Sequence, residues 1–172
     1  MKRLLMFCLI AMAAAVMAAE TPIEIKTKKD FSYWGDKKYY ETVKVSVENG
    51  VAKIAVEKTV PGARPAKYVF GIRCNRAFKA GVNYKLTATL KSNQEAKVAY
   101  YVRMIDKPYK NIGDTTAEAE LKADEPQTIE LRFSVKEDVD VPTRLPSFQV
   151  VLKEGQTLEL RDVKLAEEEA AK

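Results

Sequence analysis

Apolar and polar positions alternate with a period of two along most of this chain, the pattern of strands that bury one face. Val43, Val45 and Val47 alternate with Lys44, Ser46 and Glu48. Asn49-Gly50 follows, a pair that tolerates positive φ at both positions and so predicts a tight hairpin. Ala52, Ile54 and Val56 then return on one face. The alternation recurs in Lys67 to Cys74, in Tyr84 to Leu90, in Val98 to Met104, in Ile129 to Val135 and in Phe148 to Leu152. Leu158 and Leu160 keep the phase, whereas Val163 and Leu165 are shifted by one, which predicts a bulge around Arg161-Asp162.

Turn clusters separate these runs: Pro61 to Pro65, Lys79-Ala80-Gly81, Asp124-Glu125-Pro126 and Glu154-Gly155. No helical stripe is present from Thr21 to Leu165, and Ala166 to Lys172 reads as a short polar helix or a frayed tail. About ten short strands at this spacing predict an all-β fold, an antiparallel two-sheet sandwich. There is no internal repeat or linker, so residues 19–165 form one domain and 166–172 a polar C-terminal tail.

The N-terminus departs from the pattern. Met1-Lys2-Arg3 precedes an apolar run from Leu4 to Val16 and small residues at Ala18-Ala19, the layout of a secretory signal peptide over residues 1–18. The run falls short of the about 20 apolar residues that span a bilayer. Cys8 follows Phe7 inside the run, which does not fit a lipoprotein anchor. The expectation is a protein secreted or delivered to the periplasm, and not membrane-embedded after cleavage.

Composition then narrows the chemistry. Without Lys2 and Arg3 the chain has 27 basic residues against 24 acidic, a net charge of +3, and the two signs are interleaved. That leaves no footprint for nucleic acid. Cys74 alone remains after processing, so no internal disulfide forms, and its place on the apolar side of a strand predicts a buried, inert thiol. The chain contains no histidine, which removes Ser-His-Asp and Cys-His catalysis and the commonest zinc ligand.

Four stretches carry a family resemblance: Val45 to Val56, Phe78 to Leu90 with Gly81 and Tyr84 at fixed spacing, Gln127 to Val135, and Ser147 through Glu154-Gly155 to Leu165. In order and punctuation they resemble carbohydrate-binding modules of the family 4/9 type, jelly-roll sandwiches of the galactose-binding-like group. The resemblance covers about Val43 to Leu165 and implies fold more than ligand. It also implies that ligand contacts come from the sheet face turned from the core or from its rim, and it matches Asp162 to a position where some members hold structural calcium. Glu24 is the candidate partner there. Calcium takes six or more oxygens, and a surface Asp stabilising a bulge satisfies the same residues.

A sugar offers C–H faces that pack on aromatic rings and hydroxyls that need directional polar partners. Tyr101 and Arg103 point away from the apolar side of their strand, Arg73 does so beside Gly71, and Gln149 on its own strand. If these strands share a sheet, one face presents Arg73, Tyr101, Arg103 and Gln149 together, with Gly71 leaving room for close approach. The same residues also suit an ordinary solvated face. Trp34, the only tryptophan, lies in an aromatic cluster with Phe31, Tyr33, Tyr39 and Tyr40 and is a further ligand candidate or a loop anchor. Tyr109 is a rim contact or a turn anchor.

The acidic residues alternate with lysines or crowd into Lys136 to Asp140, and no opposed carboxylate pair stands out. The reading is therefore an exported, non-catalytic module that binds carbohydrate, with no catalytic residues, no metal site and no cofactor beyond that calcium position. The alternatives are a structural or protein-interaction adaptor at the cell envelope, partnered by envelope proteins, and a carboxylate-based glycoside hydrolase.

Overall fold

A computed structural model describes residues 20–34, 40–62 and 67–168, with the backbone alone at 32–34, 40, 67–68 and 114–115. The segment read as a signal peptide lies outside these residues. Among these residues there are eleven strands: β1 (Thr21–Pro22), β2 (Phe31–Trp34), β3 (Tyr40–Glu48), β4 (Val51–Thr59), β5 (Lys67–Cys74), β6 (Asn83–Ser92), β7 (Ala96–Met104), β8 (Asn111–Leu121), β9 (Gln127–Ser134), β10 (Thr143–Val151) and β11 (Thr157–Glu168). One 3-10 turn, Lys28–Asp30, interrupts them. Among the described residues no helix is long and apolar enough to cross a membrane.

The strands pair antiparallel in two sheets. One runs β3-β4-β11-β6-β9, with β1 also on β11, and the other runs β2-β5-β10-β7-β8. The expected all-β, two-sheet sandwich is the observed architecture. Its interior is made by the alternating positions: Ile54, Leu86, Leu90, Leu158, Leu160 and Leu165 from the first sheet meet Phe70, Ile72, Val98, Val102, Phe148 and Val150 from the second. Each such side chain withdrawn from water contributes roughly 1.5–3 kcal/mol. Phe70 stacks on Phe148 with centroids 5.1 Å apart, and Phe78, Tyr84 and Phe133 pack as a mutual triad with centroids 5.1, 5.3 and 5.5 Å apart.

The predicted turns form for the predicted reasons. Asn49 and Gly50 both have positive φ, 49° and 78°. Asp162 has φ 52° where the β11–β6 register shifts between Arg161 and Lys164, the bulge expected from the phase slip. On the other edge of β11, β4 pairs before this bulge and β1 after it.

Two boundaries differ from the sequence reading. β11 continues to Glu168 with Ala166 buried, so the polar tail does not begin at Ala166. β10 begins at Thr143 rather than near Phe148, because a register shift between Arg144 and Ser147, around Pro146, breaks the alternation that would have revealed it.

Candidate functional site

The strands carrying Arg73, Tyr101, Arg103 and Gln149 lie side by side as β5, β7 and β10. Register sets them on the outer face of the five-stranded sheet. Arg144 on β10 stands opposite Arg73 on one side and Arg103 on the other, and Ser147 stands opposite Gly71 and Tyr101. Gln149 stands opposite Val69 and Ala99. Their strand neighbours Phe70, Ile72, Tyr100, Val102, Phe148 and Val150 point the other way, into the core.

A cavity of about 590 Å³ opens on this face. Tyr101 and Tyr109 provide its rings, Arg103, Arg144 and Gln149 its polar groups, and Val69 and Ile105 its apolar lining. Tyr109 is half exposed, in a turn closed by its N–H donating to the Asp106 carbonyl at 2.9 Å. Arg103 is half-buried and donates from Nη1 to Asn111 Oδ1 at 3.1 Å. Burial pushes the Arg144 guanidinium below its ordinary pKa, Tyr101 opposes that shift, and neighbouring Arg103 adds to it.

Not every expectation about these side chains holds. Tyr101 does face away from the core, but it is only 6% exposed, so it is a cavity wall rather than an open stacking platform. Arg73 is exposed beside the arginines and does not line the cavity. The room beside Gly71 is already filled: a Cβ there would overlap the Pro146 carbonyl oxygen and the Arg144 stem. Gly71 thus makes way for the chain's own bulged strand rather than for a ligand. Trp34 ends β2 opposite Val69, and its side chain lies outside the described residues, as does Tyr39. Phe31 is a core anchor against Phe70, centroids 5.7 Å apart.

Arg144 is the contributor the sequence reading missed. It precedes Pro146 in a stretch without alternation, and only the pairing of Thr143-Arg144 with β5 and β7 brings it between Arg73 and Arg103.

A second cleft, about 660 Å³, opens along β8 and β9. Despite its greater volume it is the weaker candidate, because much of its charge is already engaged. Lys110 donates to Glu137 at 3.0 Å, and Arg132 pairs with Glu130 and Glu168. Its floor is core, including Tyr84, Phe133 and Val139.

Asp162 and Glu24 border one shallow pocket. Asp162 faces Arg161 at 3.5 Å and Glu24 pairs with Lys26. Among the described residues no group of three or more Asp, Glu, His or Cys side chains surrounds this point. Cys74 is half-buried at the core edge, and burial pushes its thiol pKa up, away from reactivity.

Two antiparallel sheets in this order make a jelly-roll sandwich, and the solved structures that superpose on it include carbohydrate-binding modules. Among solved structures, CBM4 superposes with a TM-score of 0.57 at 18% identity, over 82% of this chain and 96% of that one. The CBM1 module of BiXyn10A in its apo form gives 0.60 at 16% identity, over 87% and 96%. The family 11 carbohydrate-binding module from Clostridium thermocellum, in complex with a β-1,3-1,4-mixed-linked tetrasaccharide, gives 0.59 at 8% identity, over 88% and 98%. No family model and no curated sequence matches the chain. The likeness is one of fold.

Proposed function

We propose that this protein is an exported, non-catalytic module that binds carbohydrate on the outer face of the β2-β5-β10-β7-β8 sheet. The observation that carries the reading is the cavity in which Tyr101 and Tyr109 stand beside Arg103, Arg144 and Gln149. Aromatic surface suits the C–H faces of a sugar ring, and planar guanidinium and amide groups supply fixed donors for its hydroxyls. The modules that share the fold support the same reading, and one of them holds a tetrasaccharide. The described residues lining the cavity include no carboxylate that would act as acid or nucleophile, which favours binding over hydrolysis. Export rests on the N-terminal pattern of Lys2-Arg3, the apolar run and Ala18-Ala19.

Affinity electrophoresis of the purified chain through gels containing soluble polysaccharides tests the proposal. At least one polysaccharide should retard the protein, and Tyr109→Ala and Gln149→Ala should each weaken retention by about tenfold, some 1.4 kcal/mol, without lowering the melting temperature. Absence of retardation on every polysaccharide would replace glycan binding with the envelope-adaptor reading.

A further inference from the structure

We propose that the saccharide taken by this face is acidic, carrying carboxylate or sulfate groups that seat on the row Arg73–Arg144–Arg103. The inference rests on glycan binding at the outer face and goes on to name the class of glycan.

Three arginines stand side by side on three adjacent strands, Arg73 on β5, Arg144 on β10 and Arg103 on β7, each directly opposite the next. Strands lie about 4.8 Å apart, so the row spans about 10 Å across the sheet. Like charges directly opposite one another destabilise a sheet. Elsewhere on the described strands several basic side chains pair with acidic ones. Lys53 pairs with Glu159, Lys44 with Glu57, Lys85 with Glu130 and Lys97 with Glu118. Where like charges do fall opposite, at Lys85 and Arg132, Glu130 pairs with both. The arginine row has no such arrangement at its two ends. Among the described residues no carboxylate forms an ion pair with Arg73 or Arg103, and Arg103 donates instead to the neutral amide of Asn111.

Arginine rather than lysine fills all three positions. A guanidinium presents a rigid planar fork that matches a carboxylate or sulfate through two parallel hydrogen bonds, whereas a lysine is a mobile point charge. An arriving anion offsets the repulsion along the row, above all at its two ends. The half-exposed ring of Tyr109 beside the row, with Tyr101 as cavity wall, adds the surface that a sugar needs and a bare anion does not. A chain of acidic sugars crossing the strands would place successive anionic groups along the arginines while its rings follow the cavity.

The test uses the purified full chain with five probes: polygalacturonate for carboxylate, dextran sulfate for sulfate, mixed-linked β-glucan and galactan as neutral glycans, and polyglutamate as a polyanion without sugar. At least one acidic glycan should bind about tenfold tighter than either neutral one, and raising salt from about 0.05 to 0.5 M should abolish that preference. Arg73→Gln and Arg103→Gln, both away from the core, should each reduce acidic-glycan affinity about fivefold and leave the melting temperature unchanged. Whichever of polygalacturonate and dextran sulfate binds tighter identifies the anionic group. Equal binding of neutral and acidic glycans, insensitive to salt and to both substitutions, overturns the acidic-glycan inference and leaves glycan binding standing. Binding of polyglutamate as tight as that of the acidic glycans also overturns it, by reducing the row to a general anion exchanger. Failure of all four polysaccharides removes the underlying proposal and this one with it.

Discussion

Gly71 shows how one side chain's absence shapes the candidate site. The bulge in β10 brings the Pro146 carbonyl and the Arg144 stem over its Cα, where any Cβ would collide with backbone. Gly71→Ala should therefore destabilise the fold by about 1–3 kcal/mol, the range for overpacking, as measured by urea unfolding. It should also weaken ligand binding, because Arg144 has to move. Ser147 beside it makes the opposite case. Its hydroxyl is fully buried and has no hydrogen-bond partner among the described residues, so Ser147→Ala should leave the unfolding midpoint unchanged or raise it. At this scale the sequence was partly legible. The outward direction of Tyr101, Arg103 and Gln149 follows from alternation alone, since period two needs no tertiary information. The burial of Tyr101 and the arrival of Arg144 depend on a bulge between strands distant in sequence, which alternation does not encode.

Among the elements, the turns are held by carboxylates that accept backbone hydrogen bonds. Asp138 accepts from Lys79 Nζ and from the Ala80 amide, both at 2.8 Å, pinning the turn before β6. Glu154 accepts from the Thr59 amide at 3.1 Å and its hydroxyl at 3.0 Å, and Asp30 accepts from the Thr27 amide at 2.8 Å. All three carboxyls are held below their ordinary pKa: Asp138 chiefly by Lys79, Glu154 by the Thr59 amide and Asp30 by the Thr27 amide. A depressed carboxyl contributes stability above its unfolded pKa of about 4, and that contribution disappears as pH falls through the lower folded value. The melting temperature should thus fall on acidification below about pH 4, and the fall should be shallower in Asp138→Asn, as a pH series of thermal melts would show.

The hairpins and the β11 bulge were readable because their cause is local, as at Asn49-Gly50 with two positive φ values. β8 was not. Its run of Gly113, Ala117, Ala119 and acidic residues carries too little apolar contrast to show a period, and it becomes a strand because β7 pairs with it.

As a whole molecule, the protein has one interior shared by both sheets. The aromatic group of Phe70, Phe148 and Tyr100 comes from the five-stranded sheet, and Tyr100 reaches across to donate to the Glu130 carbonyl of β9 at 3.2 Å. Neither sheet has a core of its own, so unfolding should be a single cooperative transition. Far-ultraviolet circular dichroism and intrinsic fluorescence should give coincident urea curves, and two separated transitions would contradict a common interior.

The pairing of Thr21 with Leu165 lays the start of the described chain alongside its last strand, and Lys164 to Glu20 at 3.0 Å ties the two together. Both lie in the six-stranded sheet, on the opposite layer from Arg73, Arg144 and Arg103. A short peptide bridge between them would close the backbone into a ring, and fresh ends opened at Asn49-Gly50 would yield a circular permutant. Engineered cargo attached there would hang from the back of the sandwich, leaving the arginine-lined wall unobstructed.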